Sequence, residues 1–244
     1  MTDTRGSSEL LSFVLVFALV ITTVALVFAL GYPALLHVQD VERSTNAERS
    51  MTTVADTVTE LTVRGVPSRA TEVKLSEASL SFGDPVTVTV KNESGGVLAT
   101  ETLRPLVYDG SDGTRITYVG GAVFREQADG GFVVVRDPEV VASEFDDTVV
   151  LVPVTKAASS TDSVAGQTDV LIRLERGATR TNTTSGGVEV SLVSPSPEMA
   201  TAWRAYFESQ PGVTGCSVSG TTTTCTFDGE RSSVTFVDVV VELE

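Results

Sequence analysis

The sequence predicts a long N-terminal transmembrane and amphipathic α-helix, followed by a mainly β domain that is sandwich- or barrel-like and contains one short helix. Three observations predict this fold class. An uncharged apolar run lies near the N-terminus, apolar residues recur at helical spacing after it, and short alternating stretches separated by glycine and aspartate turns follow residue 65. About 180 residues lie beyond Gly65, which is enough to bury a hydrophobic core.

The apolar run extends from Leu10 to Leu30, and its polar residues are Ser12, Thr22 and Thr23. As a helix, these residues measure roughly 32 Å, which matches a hydrocarbon core of about 30 Å. The apolar region of a secretory signal is usually shorter, with about 7–15 residues. The length therefore favours a retained anchor, while the small-x-small sequence Ala29–Gly31 leaves signal cleavage as an alternative.

The residues just ahead of the run read RGSSELLS, from Arg5 to Ser12. This segment resembles the class III signal of archaeal type IV pilin-like proteins, particularly of the haloarchaeal membrane-anchored kind. The resemblance implies that residues 1–6 are a leader, that a prepilin peptidase cuts between Gly6 and Ser7, and that residues 7–32 span the membrane. Glu9 then becomes the acidic residue at mature position three, whereas bacterial pilins usually place it at position five.

Two interpretations of Glu9 remain open. A carboxylate at the edge of hydrocarbon is costly unless it is paired, and the free amine of Ser7 or of a neighbouring subunit would supply the partner. Alternatively, Glu9 lies in the headgroup layer. Arg5 is the basic residue on the short side, and a large domain translocates regardless of its charge. We therefore expect a single-pass cell-membrane protein whose C-terminal domain is extracellular.

Residues 33–65 are predicted to form an amphipathic helix or stalk, entered through a kink at Pro33 and ended by Gly65 and Pro67. Four apolar residues fall on one helical face: Met51, Val54, Val58 and Leu61. A half-apolar, half-amphipathic N-terminal helix is what the pilin resemblance implies. The alternative is an ordinary juxtamembrane helix that packs on its own domain. Residues 66–244 are the expected extracellular β-rich domain.

The period of the apolar residues changes to two beyond Gly65, which predicts strands. The predicted strands are Thr71–Leu75, Ser79–Phe82, Val86–Lys91, Val97–Leu103, Arg115–Val119, Ala122–Arg125, Phe132–Arg136, Thr148–Val154, Asp169–Glu175, Val188–Val193, Cys216–Ser219, Thr224–Phe227 and Ser233–Leu243. The polar stretch 156–168 is interpreted as a surface loop and a candidate boundary between two β subdomains. One helix is predicted after the N-cap Ser196, with Trp203 packed in the core.

Cys216 and Cys225 flank a hairpin-like connection, so a disulfide is expected outside a cell. A two-thiolate metal site is the alternative, although a nearby histidine to complete it is lacking. Asn92 and Asn182 begin Asn-x-Ser/Thr sequons and are candidate glycosylation sites.

The chain carries 32 acidic residues against 17 basic ones, a formal net charge of −15. Only Lys74, Lys91 and Lys156 among the basic residues are lysines, and an acid-rich, lysine-poor composition is typical of a halophile's protein. Such a balance argues against nucleic-acid binding, because that binding needs a basic patch. Two oxygen-rich segments, 109–112 and Asp146–Asp147, are candidate calcium ligands, but a solvated aspartate-glycine turn is the favoured interpretation of the first.

An enzymatic function is not expected. The single histidine, His37, lies at the predicted membrane boundary, where it cannot serve a nucleophile in the β domain. The sequence lacks GxSxG, P-loop, HExxH and helix-opening GxGxxG motifs, so we predict neither catalytic residues, nor a metal site, nor a cofactor.

The sequence therefore predicts a membrane-anchored, pilin-like cell-surface protein with a structural, assembly or adhesion role. Its expected partners are the membrane, other copies of the chain or other pilin-like subunits, and prepilin peptidase if it is processed. Ala18 and Thr22–Thr23 are candidate helix–helix contacts, because small and hydroxylated residues favour close packing in membranes. The alternative function is a single-pass anchored β-domain binding module outside any filament.

Overall fold

A computed structural model describes residues 5–138, 141–144, 147–158 and 162–244. The chain divides into two compact units, Met1–Ser44 and Thr45–Glu244. The helices are α1 (Arg5–Thr62) and α2 (Pro197–Glu208). The strands are β1 (Ser68–Phe82), β2 (Val86–Asn92), β3 (Val97–Leu103), β4 (Leu106–Gly110), β5 (Arg115–Val119), β6 (Ala122–Glu126), β7 (Phe132–Arg136), β8 (Val141–Glu144), β9 (Asp147–Ala157), β10 (Ser163–Ser185), β11 (Val188–Val193), β12 (Val213–Ser219), β13 (Thr222–Phe227) and β14 (Arg231–Leu243).

Helix α1 supplies all the described residues of the first unit and the first element of the second. Its helical backbone continues through Pro33 and ends at Thr62, slightly before the predicted end. Gly65 adopts a φ of 72°, and the amide of Val66 donates a hydrogen bond of 3.2 Å to the carbonyl of Glu60. A glycine just past the helix therefore closes its C-terminus, because it accepts the left-handed conformation without steric cost.

The 45–244 unit is built on two open sheets. Sheet A has nine strands in the order β7-β6-β5-β4-β1-β10-β14-β9-β8, and sheet B has five in the order β12-β13-β11-β2-β3. The neighbours pair antiparallel, apart from β14 and β9, which pair in parallel. The mainly β fold with one short helix is confirmed. Of the two β arrangements left open by the sequence, the structure has stacked open sheets and no closed barrel.

Sheet A buries side chains on both faces. Alternate residues of a strand point to opposite faces, so Tyr118 packs towards α1 while its neighbour Val119 packs towards sheet B. Val123 and Phe124 divide in the same way on the next strand. The unit therefore has three layers, with residues of α1 on one face of sheet A and sheet B on the other.

Glu77 forms a bulge in β1 that keeps the inward face of the strand constant. Its φ is 54°, and the register with β10 shifts between Ser76 and Ala78. Val73 and Leu75 before the bulge and Leu80 after it belong to the same core, although their numbers differ in parity. The extra residue thus corrects the alternation that an unbroken strand would impose.

Helix α2 packs in the core between sheet A and sheet B, as predicted. The hydroxyl of Ser196 accepts a hydrogen bond of 3.2 Å from the amide of Met199, which confirms the N-cap. Trp203 is 1% exposed, and its ring centroid lies 6.1 Å from that of Phe124 and 5.7 Å from that of Phe207. The core role predicted for Trp203 is therefore confirmed.

Several strand predictions need correction. The two stretches predicted within residues 71–82 form the single strand β1, and the strands β4 and β8 were not predicted. The predicted loop 156–168 was wrong at both ends, because β9 extends to Ala157 and β10 begins at Ser163. The candidate subdomain boundary there is not seen, since β9 and β10 both pair with β14 in sheet A.

Candidate functional site in the N-terminal helix

The stretch Leu11–Tyr32 of α1 is long and apolar enough to cross a membrane, and a signal sequence has the same properties. Every side chain in this stretch is exposed in the isolated chain. Phe13 and Phe28, for example, are 71% and 69% exposed. Exposed apolar surface of this extent is unstable in water, so it marks a surface that a membrane or another protein covers.

The two threonine hydroxyls of this stretch are satisfied within the helix. The hydroxyl of Thr22 donates to the carbonyl of Ala18 at 2.7 Å, and that of Thr23 donates to the carbonyl of Val20 at 2.8 Å. A hydroxyl that is bonded to its own backbone needs no partner from the surroundings. The threonines therefore do not interrupt the compatibility of the stretch with hydrocarbon.

The predicted processing residues Arg5, Gly6, Ser7 and Glu9 lie in the first turns of α1, where the structure describes the helical backbone only. Residues 1–4 of the predicted leader lie outside the described residues, and so does Asp146 of a candidate calcium pair. His37 falls within α1, and again only its backbone is described. The role of these residues stays a prediction.

Residues 45–62 of α1 have a different environment, because they pack on sheet A. The four predicted face residues are all at most 1% exposed, and two alanines join them: Ala47, Met51, Val54, Ala55, Val58 and Leu61. They contact side chains from β1, β4, β5, β10 and β14. Burial of this face fixes the helix to the domain at roughly 1.5–3 kcal/mol for each large side chain.

Ion pairs at the border of this apolar face also join the helix to sheet A. Arg125 on β6 pairs with Glu48, and both side chains are largely buried. Arg136 on β7 approaches Asp56 at 3.2 Å and donates to the hydroxyl of Thr59 at 3.3 Å. These pairs could not be predicted, because the partners are 77 residues or more apart in the chain and helical spacing does not indicate which strand residues a helix contacts.

A second charged cluster ties sheet A to sheet B. Asp238 accepts hydrogen bonds of 2.8 Å from Lys156 and of 2.8 and 2.9 Å from Arg180, and Arg180 also donates to Glu101 on β3 at 2.8 Å. Burial opposes ionisation of Asp238, but the hydrogen bonds from Arg180 and Lys156 outweigh it and lower the pKa of Asp238. The same hydrogen bond to Asp238 raises the pKa of Arg180.

The predicted disulfide is present. Cys216 on β12 and Cys225 on β13 are direct cross-strand partners with Cα atoms 4.1 Å apart. Cys225 is fully buried in the core shared with α2. The bridge therefore links an edge strand of sheet B to its neighbour, and the metal-site alternative for these thiols does not hold.

The two candidate glycosylation sites are partly buried residues of paired strands. Asn92 ends β2, and its side-chain oxygen accepts hydrogen bonds from Ser94 at 2.8 Å and from the amide of Gly96 at 2.7 Å. Asn182 lies in β10 opposite the buried Val234. Asn92 therefore lies where a strand meets a turn, Asn182 lies within a strand, and glycosylation of either stays a prediction.

The carboxylates proposed for calcium in the 109–112 turn have protein partners. Asp109 pairs with Arg115 at 2.6 Å, and Asp112 accepts bonds from the amide and hydroxyl of Thr114 at 3.0 and 2.8 Å. These contacts form the turn itself. Within the described part of the chain, we find no group of three or more histidine, cysteine or acidic side chains arranged to hold a metal ion.

The chain belongs to a family of unknown function, DUF7289, whose family model matches residues 5–244. The match covers both the apolar stretch of α1 and the β domain. No curated protein and no solved structure shows significant similarity to the chain.

Proposed function

We propose that this protein is a membrane-anchored, pilin-like cell-surface protein with a structural, assembly or adhesion role. Its apolar stretch, residues 11–32, embeds in the membrane or packs against the same stretch of neighbouring subunits. The β domain faces the outside of the cell. The single observation that carries the proposal is the exposed apolar helical stretch Leu11–Tyr32 in the same helix as a second stretch packed on sheet A.

The length of the stretch supports an anchor. Its 22 residues extend about 33 Å as a helix, close to the thickness of a hydrocarbon core. The segment from Leu10 to Gln39 contains no charged side chain. The apolar region of a cleaved signal is usually shorter, so the length of the stretch favours a retained anchor.

The packed stretch of α1 supports a structural role. Helix residues such as Met51 and Leu61 form part of the core of the 45–244 unit, so the unit loses core residues if α1 is cut within that stretch. A force applied to the apolar stretch is therefore transmitted along a continuous helical backbone into the fold. Such a connection suits a subunit that is held in a membrane or in an assembly.

The mature N-terminus tests the proposal first. Mass spectrometry of the protein from a membrane fraction of a haloarchaeal host is expected to find a chain that begins at Ser7 and retains the apolar stretch. A chain that still carries Arg5 and Gly6 contradicts prepilin-type processing and leaves a single-pass anchored β module. A chain that begins near Gly31 contradicts membrane anchoring altogether.

Assembly is tested separately at Ala18, whose side chain is exposed on the apolar stretch. Among the molecules that membrane fractionation finds inserted, Ala18→Lys is expected to abolish assembly seen by chemical cross-linking, because a lysine at a helix contact is costly to bury. Thr53→Lys, at an exposed position of the packed stretch, is the matched control. Unchanged cross-linking of Ala18→Lys contradicts assembly through this face.

A further inference from the structure

A cavity of about 320 Å³ opens where sheet A, sheet B and the start of α2 meet. Its apolar walls include Phe82, Pro85, Pro105, Pro195 and Met199. This volume lies at the lower end of the range of small-molecule sites, and the accessible lining is more polar than apolar, which suits a charged ligand. The cavity lies wholly within the 45–244 unit and does not depend on the role of the apolar stretch.

One side of the cavity carries a row of charges across three neighbouring strands. Asp109, Arg115 and Glu126 are cross-strand partners on β4, β5 and β6. Arg115 pairs with Asp109 at 2.6 Å, and this hydrogen bond, more than the nearby charges of Asp109, Glu126 and Asp84, raises the pKa of Arg115. Arg115 makes its ion pair with Asp109, whereas the carboxylates of Asp84 and Glu126 make no short ion pair with any described residue.

The cavity also holds a cation that has no counterion among the described residues. Arg104, which follows β3, lines the cavity and is half-buried. Among the residues that the structure describes, none makes an ion pair or a hydrogen bond with the Arg104 side chain. Its guanidinium nitrogens are accessible to solvent, so the positive charge is open to a ligand that enters the cavity.

We propose that this cavity binds a small zwitterion of the α-amino-acid type. Arg104 receives the carboxylate of the ligand, the carboxylates of Glu126 and Asp84 receive its ammonium group, and the proline-lined wall contacts its side chain. A ligand with a single charge of either sign satisfies one group and leaves the other uncompensated. A ligand that carries both charges satisfies both.

The test uses the full-length protein in detergent. Thermal unfolding is followed with each common L-amino acid, and the amino acid with the largest effect is compared with its two analogues that lack the ammonium group or the carboxylate. We expect at least one amino acid to raise Tm saturably, as a ligand of the native state does. Each analogue is expected to bind about 10-fold to 100-fold more weakly, because it loses one charge-assisted interaction.

Two variants assign the ends of the ligand. Arg104→Gln is expected to weaken binding of the amino acid about 10-fold and to leave binding of the analogue that lacks the carboxylate unchanged. Glu126→Gln is expected to weaken binding of the amino acid and to leave binding of the analogue that lacks the ammonium group unchanged. Arg231→Gln, at an exposed arginine outside the cavity, is the matched control and should bind like the parent. Circular dichroism verifies the fold of each variant. The proposal is overturned if no amino acid raises Tm saturably or if both cavity variants bind like the parent protein.

Discussion

The stretches 11–32 and 45–62 belong to one helix but have opposite surroundings. In the first, every side chain is exposed and apolar residues occupy all sides of the helix. In the second, one face is buried against sheet A, while charged residues such as Glu48 and Asp56 lie on or beyond its border. Both stretches have helical backbone from end to end.

This difference shows that the distribution of apolar residues around a helix, more than their number, decides which surroundings the helix needs. An apolar face of limited width is satisfied by one sheet, because the remaining faces stay in water. A helix that is apolar on all sides needs apolar surroundings on all sides, which its own domain does not offer. The packed stretch contributes to the folded core, whereas the exposed stretch has the composition for contact with a membrane or with other subunits.

The largest expected effect comes from a charge in the packed stretch. Val58→Asp places a carboxylate at a position that is 1% exposed, and we expect a loss of about 4 kcal/mol in the free energy of unfolding. Denaturant unfolding of the detergent-solubilised protein, followed by the fluorescence of the buried Trp203, measures it. Thr53→Asp, at an exposed position of the same stretch, should change little. Equal effects of the two substitutions would contradict the assigned buried face.

An aspartate in the exposed stretch should weaken insertion into the membrane instead of the stability of the domain. Ile21→Asp, near the centre of 11–32, is expected to cost about 3 kcal/mol of membrane insertion, because a carboxylate must enter hydrocarbon. The midpoint of denaturant unfolding should not move. Fractionation of membranes and Trp203 fluorescence give the two readouts. A large fall in domain stability would show that Ile21 packs on protein of its own chain.

Asp238 bonds to Lys156 and Arg180 rather than to α1, so its substitution tests whether the loss of stability in acid depends on contacts outside the packed helix. The folded state lowers the pKa of Asp238 below its ordinary value, so its contribution to stability is complete above that ordinary value and is lost as the pH falls through the folded pKa. Asp238→Asn is expected to cost about 2 kcal/mol at neutral pH and to flatten the fall in stability below about pH 5. Unfolding free energies measured from pH 7 to pH 3 test this. Asp169→Asn, at an exposed position of β10, should keep the slope of the parent.

The smallest effects should distinguish the two ion pairs at the border of the packed stretch. Glu48→Gln leaves Arg125 partly buried beside a neutral group, and we expect a loss of about 1 kcal/mol. Asp56→Asn changes a side chain that is 67% exposed, so its effect should remain under about 0.5 kcal/mol. Denaturant unfolding of both variants in the same buffer gives the comparison. The reverse order would contradict the burial assigned to these pairs.

Much of the fold was predictable because it rests on local patterns. The four-residue face from Met51 to Leu61, the N-cap Ser196 and the strand Val188–Val193 follow from spacing and capping within a few residues. The strand β10 was predicted at less than its true length because only its middle alternates clearly. Its polar ends are strands because β1 and β14 lie beside them, and a sequence window contains no such neighbours.

The charged contacts could not be predicted for the same reason. Glu48 and Arg125 are 77 residues apart, and Arg180 and Asp238 are 58 residues apart. Each is one acid or base among many in this chain, so no pattern selects its partner. The cavity beside Arg104 likewise depends on residues from the turn after β1, from β4 to β6 and from the start of α2, which only the stacking of two sheets brings together.

The sequence by itself determined the apolar stretch, its length, the buried face of the packed helix, the short helix and the β character of the rest, because each depends on the local periodicity of apolar and polar residues. The tertiary structure decided that the sheets stay open and stack, that Arg125 and Arg136 anchor the helix, and that Arg104 lines a cavity with no counterion from the described part of the chain. These features depend on contacts between distant residues, and such contacts exist only once the layers have packed.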